Sequence, residues 1–355
     1  MNKRVFTQLA IVAGLSLWGL HAQAQKRMTS FKPEVHGFNF SNRFANDFLP
    51  KIDVRTGGLC GGMSYTAADF YFAKKRRPDQ PWRPANRTKL QSYIYNRQVT
   101  SLTSNLDKWA EVGFNPGGAR NDEFFRWGLE TKRGSRIAEL RSYIDRGTPV
   151  PLGIPGAKGS GNHQVLAIGY DLAGYRGARV GSRFRVFVYD PNFPRRTMQL
   201  RPNFRDKVWE LHYDDGKSAK KYYQTYFVDR KYRPKTPGRL DAPANYRRGD
   251  AVRDLIIRFN TGRDDLRGGR DNVNAEVKTT DGRRYRFSRI NLGARWLRNY
   301  EQFVRVTLPR AVPRDRLQSI TFTTTFRGGV NTSNRFRSQL SPPTPPRKVV
   351  VKVMD

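Results

Sequence analysis

Gly57-Gly-Leu-Cys-Gly-Gly62 runs directly into Met63–Lys75, where Tyr65, Ala68 and Phe72 recur at helical spacing. The stretch predicts a glycine-rich turn that delivers Cys60 to the start of a helix, which ends in the basic run Lys74–Arg77 and Pro78. The amides and dipole at a helix N-terminus favour negative charge and so draw a thiol toward its thiolate. The flanking glycines let a substrate backbone approach closely and leave amides, Gly61's among them, to hold an oxyanion. A single cysteine can also be an inert, small, buried hydrophobe, so the weight falls on what accompanies it.

Upstream, Gln25–Lys51 reads as an extended segment punctuated by aromatics, His36-Gly-Phe-Asn-Phe-Ser-Asn-Arg-Phe44, suited to lining a cleft or covering a sheet edge. Downstream, residues 78–88 are a Pro- and Arg-rich loop. Helix-compatible spacing then covers Lys89–Val99, Leu102–Glu111, Arg120–Glu130 and Arg136–Arg146, the last opened by Ser135 and closed by Gly147. The period then changes to that of strands: Pro149–Ile154, Gln164–Tyr170, Arg183–Tyr189, Val208–Tyr213 and Thr225–Val228. His163 stands at the head of one strand, a rigid edge on which to present an imidazole. Asp190 and Asn192 end the next, and either could hold the far nitrogen of His163. Thiol catalysis needs a nucleophile, a base and a group that orients the base, and the chain offers Cys60, His163 and Asp190 or Asn192 in that order. Taken singly, each has a structural reading: a packed thiol, a strand-edge histidine, an Asp-Pro-Asn turn.

The first 24 residues read as a secretory signal. Lys3 and Arg4 precede an apolar run, Leu9–Leu20, and Ala22-Gln-Ala24 is a small-x-small cleavage site, so a mature chain would start at Gln25 in an exported, secreted or periplasmic protein. That chain keeps one cysteine and three histidines (His36, His163, His212), too few for an internal disulfide or a zinc set. The net charge is +36, with 47 Arg against 19 Lys, and residues 241–355 alone carry 24 Lys/Arg and 11 Asp/Glu. Charge spread in this way favours polyanions: anionic glycans, nucleic acid or an anionic surface. No nucleic-acid-binding motif accompanies it.

Residues 231–247, rich in Pro, Lys and Arg, read as a linker to an all-β sandwich at 248–355. Its strands are expected at Val252–Asn260, Val273–Thr279, Arg284–Phe287, Phe303–Leu308, Ser319–Thr325 and Val349–Val353. Asp264, Asp265, Asp271 and Asn272 could cradle Ca²⁺, although Arg263, Arg267 and Arg270 beside them oppose a cation and suit a hairpin turn better.

Gly58-Leu-Cys-Gly-Gly-Met63, Gly161-Asn-His-Gln-Val-Leu-Ala-Ile-Gly-Tyr-Asp171 and Val188-Tyr-Asp-Pro-Asn-Phe-Pro194 resemble the Cys, His and Asp/Asn blocks of the papain-like cysteine peptidase superfamily, nearest its bacteriocin-leader-peptidase-like branch. The resemblance spans about residues 36–230. It implies an α+β papain-like domain, with Cys60 as nucleophile, His163 as general base and acid, and Asp190 as orienting residue, Asn192 being the spare. The family's glutamine upstream of the cysteine has no counterpart here, where Asp53-Val-Arg55 stands, so Gly61, Asn39 or Asn42 would supply the oxyanion donor. Asn260–Asn274, Asn291-Leu-Gly293 and Trp296 resemble lectin- or PLAT-like sandwich modules. The expectation is therefore an exported two-domain protein, papain-like at 25–230 and sandwich at 248–355, that hydrolyses or transfers an amide or peptide acyl group. The alternative is a non-catalytic basic binding protein for polyanions on the same scaffold.

Overall fold

The computed structural model describes residues 26–49, 54–85, 88–240, 251–260, 272–292, 296, 301–325 and 350–353. The expected signal segment lies outside them, as do Asp264, Asp265 and Asp271 of the expected Ca²⁺ cradle. The first half of the chain forms β1 (Lys26–Met28), the single turn α1 (Pro33–His36), the hairpin β2 (Ala45–Leu49) and β3 (Val54–Gly57), then α2 (Cys60–Phe72), α3 (Lys89–Thr103), α4 (Leu106–Gly113), α5 (Asn121–Trp127) and α6 (Arg136–Ile144). Strands follow: β4 (Val150–Ile154), β5 (Gly156–Ala157), β6 (His163–Asp171), β7 (Arg185–Tyr189), β8 (Thr197–Asn203), β9 (Val208–His212), β10 (Ser218–Tyr223) and β11 (Phe227–Val228). The C-terminal strands are β12 (Ala251–Asn260), β13 (Asn272–Thr279), β14 (Arg284–Phe287), β15 (Glu301–Pro313), β16 (Leu317–Thr325) and β17 (Val350–Val353). The result is a mixed α+β structure, rich in sheet, as its composition of elements led one to expect.

The described chain divides into two compact units that do not follow chain order. One takes in the residues up to Phe31, Asp107–Val188 and Thr197–Arg230; the other takes in Lys32–Leu106, Tyr189–Arg196 and the residues from Lys231 onward.

The first unit is built on a curled antiparallel sheet in the order β11-β4-β6-β7-β8-β9-β10-β5, with β1 paired to the far end of β6. The curl brings the two ends of the strand order together on either side of Pro155. Strand β4 pairs with β6, the chain turns at Pro155, and β5 then pairs with β10 at the opposite side of the sheet. β6 is buried along its length from His163 to Tyr170, as a strand covered on both faces must be, and α6 packs against β6, β4 and β11. Ser135 caps α6 by accepting the Ala138 amide at 3.2 Å, the cap its sequence predicts. Trp209, fully buried, stands edge-on to Tyr226 (5.0 Å between ring centres, 89°) and closes the core against Gly128.

In the second unit α2 is buried from Gly61 to Phe70, which explains a helix apolar on nearly every side. Gly62 permits its crossing with α3, since a Cβ there would lie 2.1 Å from the Ile94 carbonyl oxygen. Lower on the same face, Asp69 is completely buried and its carboxylate accepts four hydrogen bonds and pairs with Arg97. Arg97 Nη2 (3.0 Å), Tyr232 Oη (2.8 Å) and the Lys235 amide (3.0 Å) donate to Oδ1 and Tyr93 Oη (2.8 Å) to Oδ2, while Arg97 Nε lies 2.8 Å from Oδ2 in the ion pair. Burial pushes the Asp69 carboxyl up, and the Lys235 amide and Arg97 guanidinium pull it back; burial and this carboxylate together push the Tyr232 phenol up. Two of these partners lie in the segment expected as a linker. Residues 231–240 are fastened to α2 through Tyr232 and Lys235, and to the turn after it through the Pro237 carbonyl, which accepts from Lys75 Nζ at 2.8 Å. Residues 241–247 lie outside the described residues.

The C-terminal strands form two three-stranded antiparallel sheets, β15-β12-β17 and β14-β13-β16. They share one apolar cluster, with Val252, Leu255 and Ile257 from β12, Val273, Ala275 and Val277 from β13, and Val304, Val306 and Leu308 from β15. Burial alternates along β13 and the first half of β15, as a strand with one covered face requires.

Asp69→Ala would leave the Arg97 guanidinium buried without its counter-charge. We expect a loss of about 3–5 kcal/mol in a denaturant melt, and a refolded protein of unchanged stability would refute the role given to the cluster.

Candidate functional site

Cys60 is the first residue of α2 and is partly exposed. The helix begins three residues earlier than the apolar pattern indicates, and the amides on either side of its first two residues find side-chain acceptors. A helix leaves its initial N–H groups without intrahelical acceptors. Here the Leu59 amide donates to Asn42 Oδ1 at 2.5 Å, the Gly62 amide to Gln98 Oε1 on α3 at 2.8 Å, and the Met63 amide to the Leu59 carbonyl at 2.8 Å. Among the described residues the amides of Cys60 and Gly61 donate to no protein oxygen. The two glycines nearest the thiol have separate tasks. Gly58 holds φ at +88° against the Asn42 carboxamide, where a Cβ would come within 2.4 Å of Nδ2, and Gly62 makes the helix crossing.

Asn42 belongs to the aromatic segment Phe38–Phe44, whose Phe38, Phe40 and Phe44 lie in the core of the second unit. That segment also holds the turn after β7. The Phe38 amide donates to Tyr189 Oη at 3.1 Å and the Asn42 amide to the Pro191 carbonyl at 3.0 Å. Within that turn Asp190 is wholly buried, and its Oδ1 accepts the Asn192 amide at 2.8 Å while its carbonyl accepts the Phe193 amide at 2.9 Å. Asn192 itself is exposed. Asn42 thus ties the turn bearing Cys60 to the turn bearing Asp190. Asn39 is committed elsewhere: Nδ2 donates to Asp79 Oδ1 and Oδ1 accepts from Arg77 Nη2 at 2.9 Å.

In the first unit His163 opens β6 opposite Ile154 of β4, 6% exposed, its ring stacked on Tyr223 (6.3 Å between centres, 19°). The preceding Asn162 closes the loop by accepting the Gly156 amide at 3.0 Å. Strand β7, whose last residue precedes Asp190, is the neighbour of β6 in the sheet.

Of the expected Ca²⁺ ligands only Asn272 is described; it is buried, and its Oδ1 accepts from Arg289 Nε at 3.4 Å. No group of three or more His, Cys, Asp or Glu side chains suited to a metal ion occurs among the described residues. No helix among them is long and apolar enough to cross a membrane. Gln98 is the residue that sequence reasoning missed. Nothing in Lys89–Val99 marks it, because its partner is an amide on another helix.

Comparison with models of protein families, with curated proteins and with solved structures returned no match.

Asn42→Ala would remove the acceptor of a buried amide at the Cys60 turn. The expected cost is about 1–3 kcal/mol in an equilibrium melt, together with slower alkylation of Cys60. A variant as stable and as reactive as the parent would show that Asn42 holds nothing in place.

Proposed function

We propose that this protein is an exported thiol-dependent hydrolase or acyl transferase of papain-like design, acting on an amide or peptide bond. Cys60 is the nucleophile, His163 its base and Asp190 the group that orients the imidazole. The observation that carries the reading is the start of α2: a thiol at the first helical position, with the neighbouring amides of Leu59 and Gly62 consumed by Asn42 and Gln98, while those of Cys60 and Gly61 remain available. Two unengaged amides beside a thiol are what an oxyanion needs. Attack of the Cys60 thiolate on the carbonyl carbon would place the developing negative charge against them. Collapse of the adduct expels the amine, which takes its proton from the His163 imidazolium and leaves a thioester; water or a second amine then resolves it with His163 as base. Asp190 suits the third role better than Asn192, because it is buried and held in a fixed turn whereas Asn192 is exposed.

Iodoacetamide tests this directly. Cys60 should alkylate faster than a free thiol at about pH 6, and His163→Ala should slow the reaction by about 10²–10⁴-fold. A rate equal to that of a free thiol, unaltered by His163→Ala, would remove the catalytic reading.

The second reading, a non-catalytic binder of polyanions, draws on the net charge of +36. It predicts retention on heparin that falls steeply as salt rises, in wild type and Cys60→Ser alike. Retention indifferent to salt would count against it.

A further inference from the structure

A cavity of about 290 Å³ in the second unit lies outside the thiol chemistry. It is lined by Phe40, Ser41 and Arg43 of the aromatic segment, by Pro81, Trp82 and Arg83 of the loop before α3, and by Ile256, Arg258, Glu301 and Phe303 of the sheet formed by β12 and β15. Its size is near the lower limit of small-molecule sites, about 300–1,000 Å³, and suits one ring rather than a polymer segment.

The lining combines flat apolar faces with unbalanced positive charge. Phe40, Trp82 and Phe303 supply the faces. The lining holds three guanidinium groups and a single carboxylate, that of Glu301. Arg83 is fixed: its side chain is only 8% exposed, it donates to the Glu301 carbonyl, its Nη2 lies 3.9 Å from Oε1 of the same residue, and its guanidinium lies over the rings of Phe44 and Phe303 at 5.7 and 5.3 Å. Arg258 pairs with the other oxygen of Glu301. One carboxylate is therefore shared by two arginines. The third, Arg43, is exposed, and among the described residues its side chain meets no carboxylate.

We propose that this cavity binds a hexose ring bearing a carboxylate, a uronate unit, with the ring face against Trp82 and the carboxylate toward Arg43. The planar fork of arginine matches a carboxylate with two parallel hydrogen bonds. The Arg83–Glu301–Arg258 group, anchored by the buried Arg83, braces the wall and adds positive potential. A nucleic acid is the poorer fit, because its phosphates call for a track of cations along a groove and its bases for several stacking platforms, while this site closes around a single ring.

The test uses the full chain and a trimer of galacturonate, titrated calorimetrically against wild type, Cys60→Ser, Arg43→Ala and Trp82→Ala, with a neutral galactose trimer and a short single-stranded DNA as comparisons. Wild type and Cys60→Ser should bind the acidic trimer equally, which separates this site from the thiol. Arg43→Ala and Trp82→Ala should each weaken binding about tenfold or more while melting at the wild-type temperature. Arg43 is exposed, so its replacement keeps the test sound even if Trp82→Ala unfolds. Equal affinity for the neutral trimer, undiminished binding by Arg43→Ala, or DNA as the only ligand bound would each overturn the proposal.

Discussion

The structure of the second unit depends on the two ends of Asn42. Its side-chain oxygen takes the amide of Leu59 and its backbone amide goes to Pro191, so a turn near the start of the chain and one far along it are held by a single residue. A buried N–H without an acceptor costs about 1–3 kcal/mol, which makes this an obligatory partnership. Gly58 follows from it, because only a residue without a Cβ fits beneath the carboxamide at positive φ. The start of α2 follows in turn, since the segment enters the helix at the angle this contact sets. Gln98 completes the arrangement from α3 and leaves the thiol beside the amides of Cys60 and Gly61, which no protein oxygen among the described residues accepts.

What could be read from the sequence was whatever local chemistry determines. The Ser135 cap, the boundaries of Arg284–Phe287 and the alternation along β13 are written in neighbouring residues. Strands β8 and β10 were not legible: Pro202 interrupts the first, and Ser218-Ala-Lys-Lys-Tyr-Tyr223 has no alternating pattern, because it gains its place from pairing with β9 and β5 rather than from its own apolar content. The candidate site divides the same way. Cys60 at a helix start is a local feature. The unequal fates of Asn39 and Asn42, one spent on Arg77 and Asp79 and the other on Leu59, turn on distant contacts that no spacing records. Residues 231–247 read as a linker for want of large apolar residues; the contacts that Tyr232 and Lys235 make with the Asp69 carboxylate at its start leave no local pattern.

The excess of arginine over lysine also has an internal side. Arg97 and Arg83 are buried, each over aromatic rings, each paired with a carboxylate and each donating to a backbone carbonyl. A guanidinium tolerates this because it is planar, weakly hydrated and rich in directed donors; an ammonium would not. Part of the basic composition is therefore architecture, and the remainder, on the surface, bears on partners.

The interleaving of the two units sets a schedule. The Cys60 turn is synthesised early, but the carbonyl of Pro191 that anchors Asn42 belongs to Tyr189–Arg196, a short excursion made only after most of the first unit has appeared. Contacts between such distant parts of a chain form late in folding, after their loops have closed. A growing or partly threaded chain therefore carries its thiol in an unfinished setting. The same stitch that fixes the turn acts as a timer, withholding the completed thiol until more than half of the polypeptide is in place.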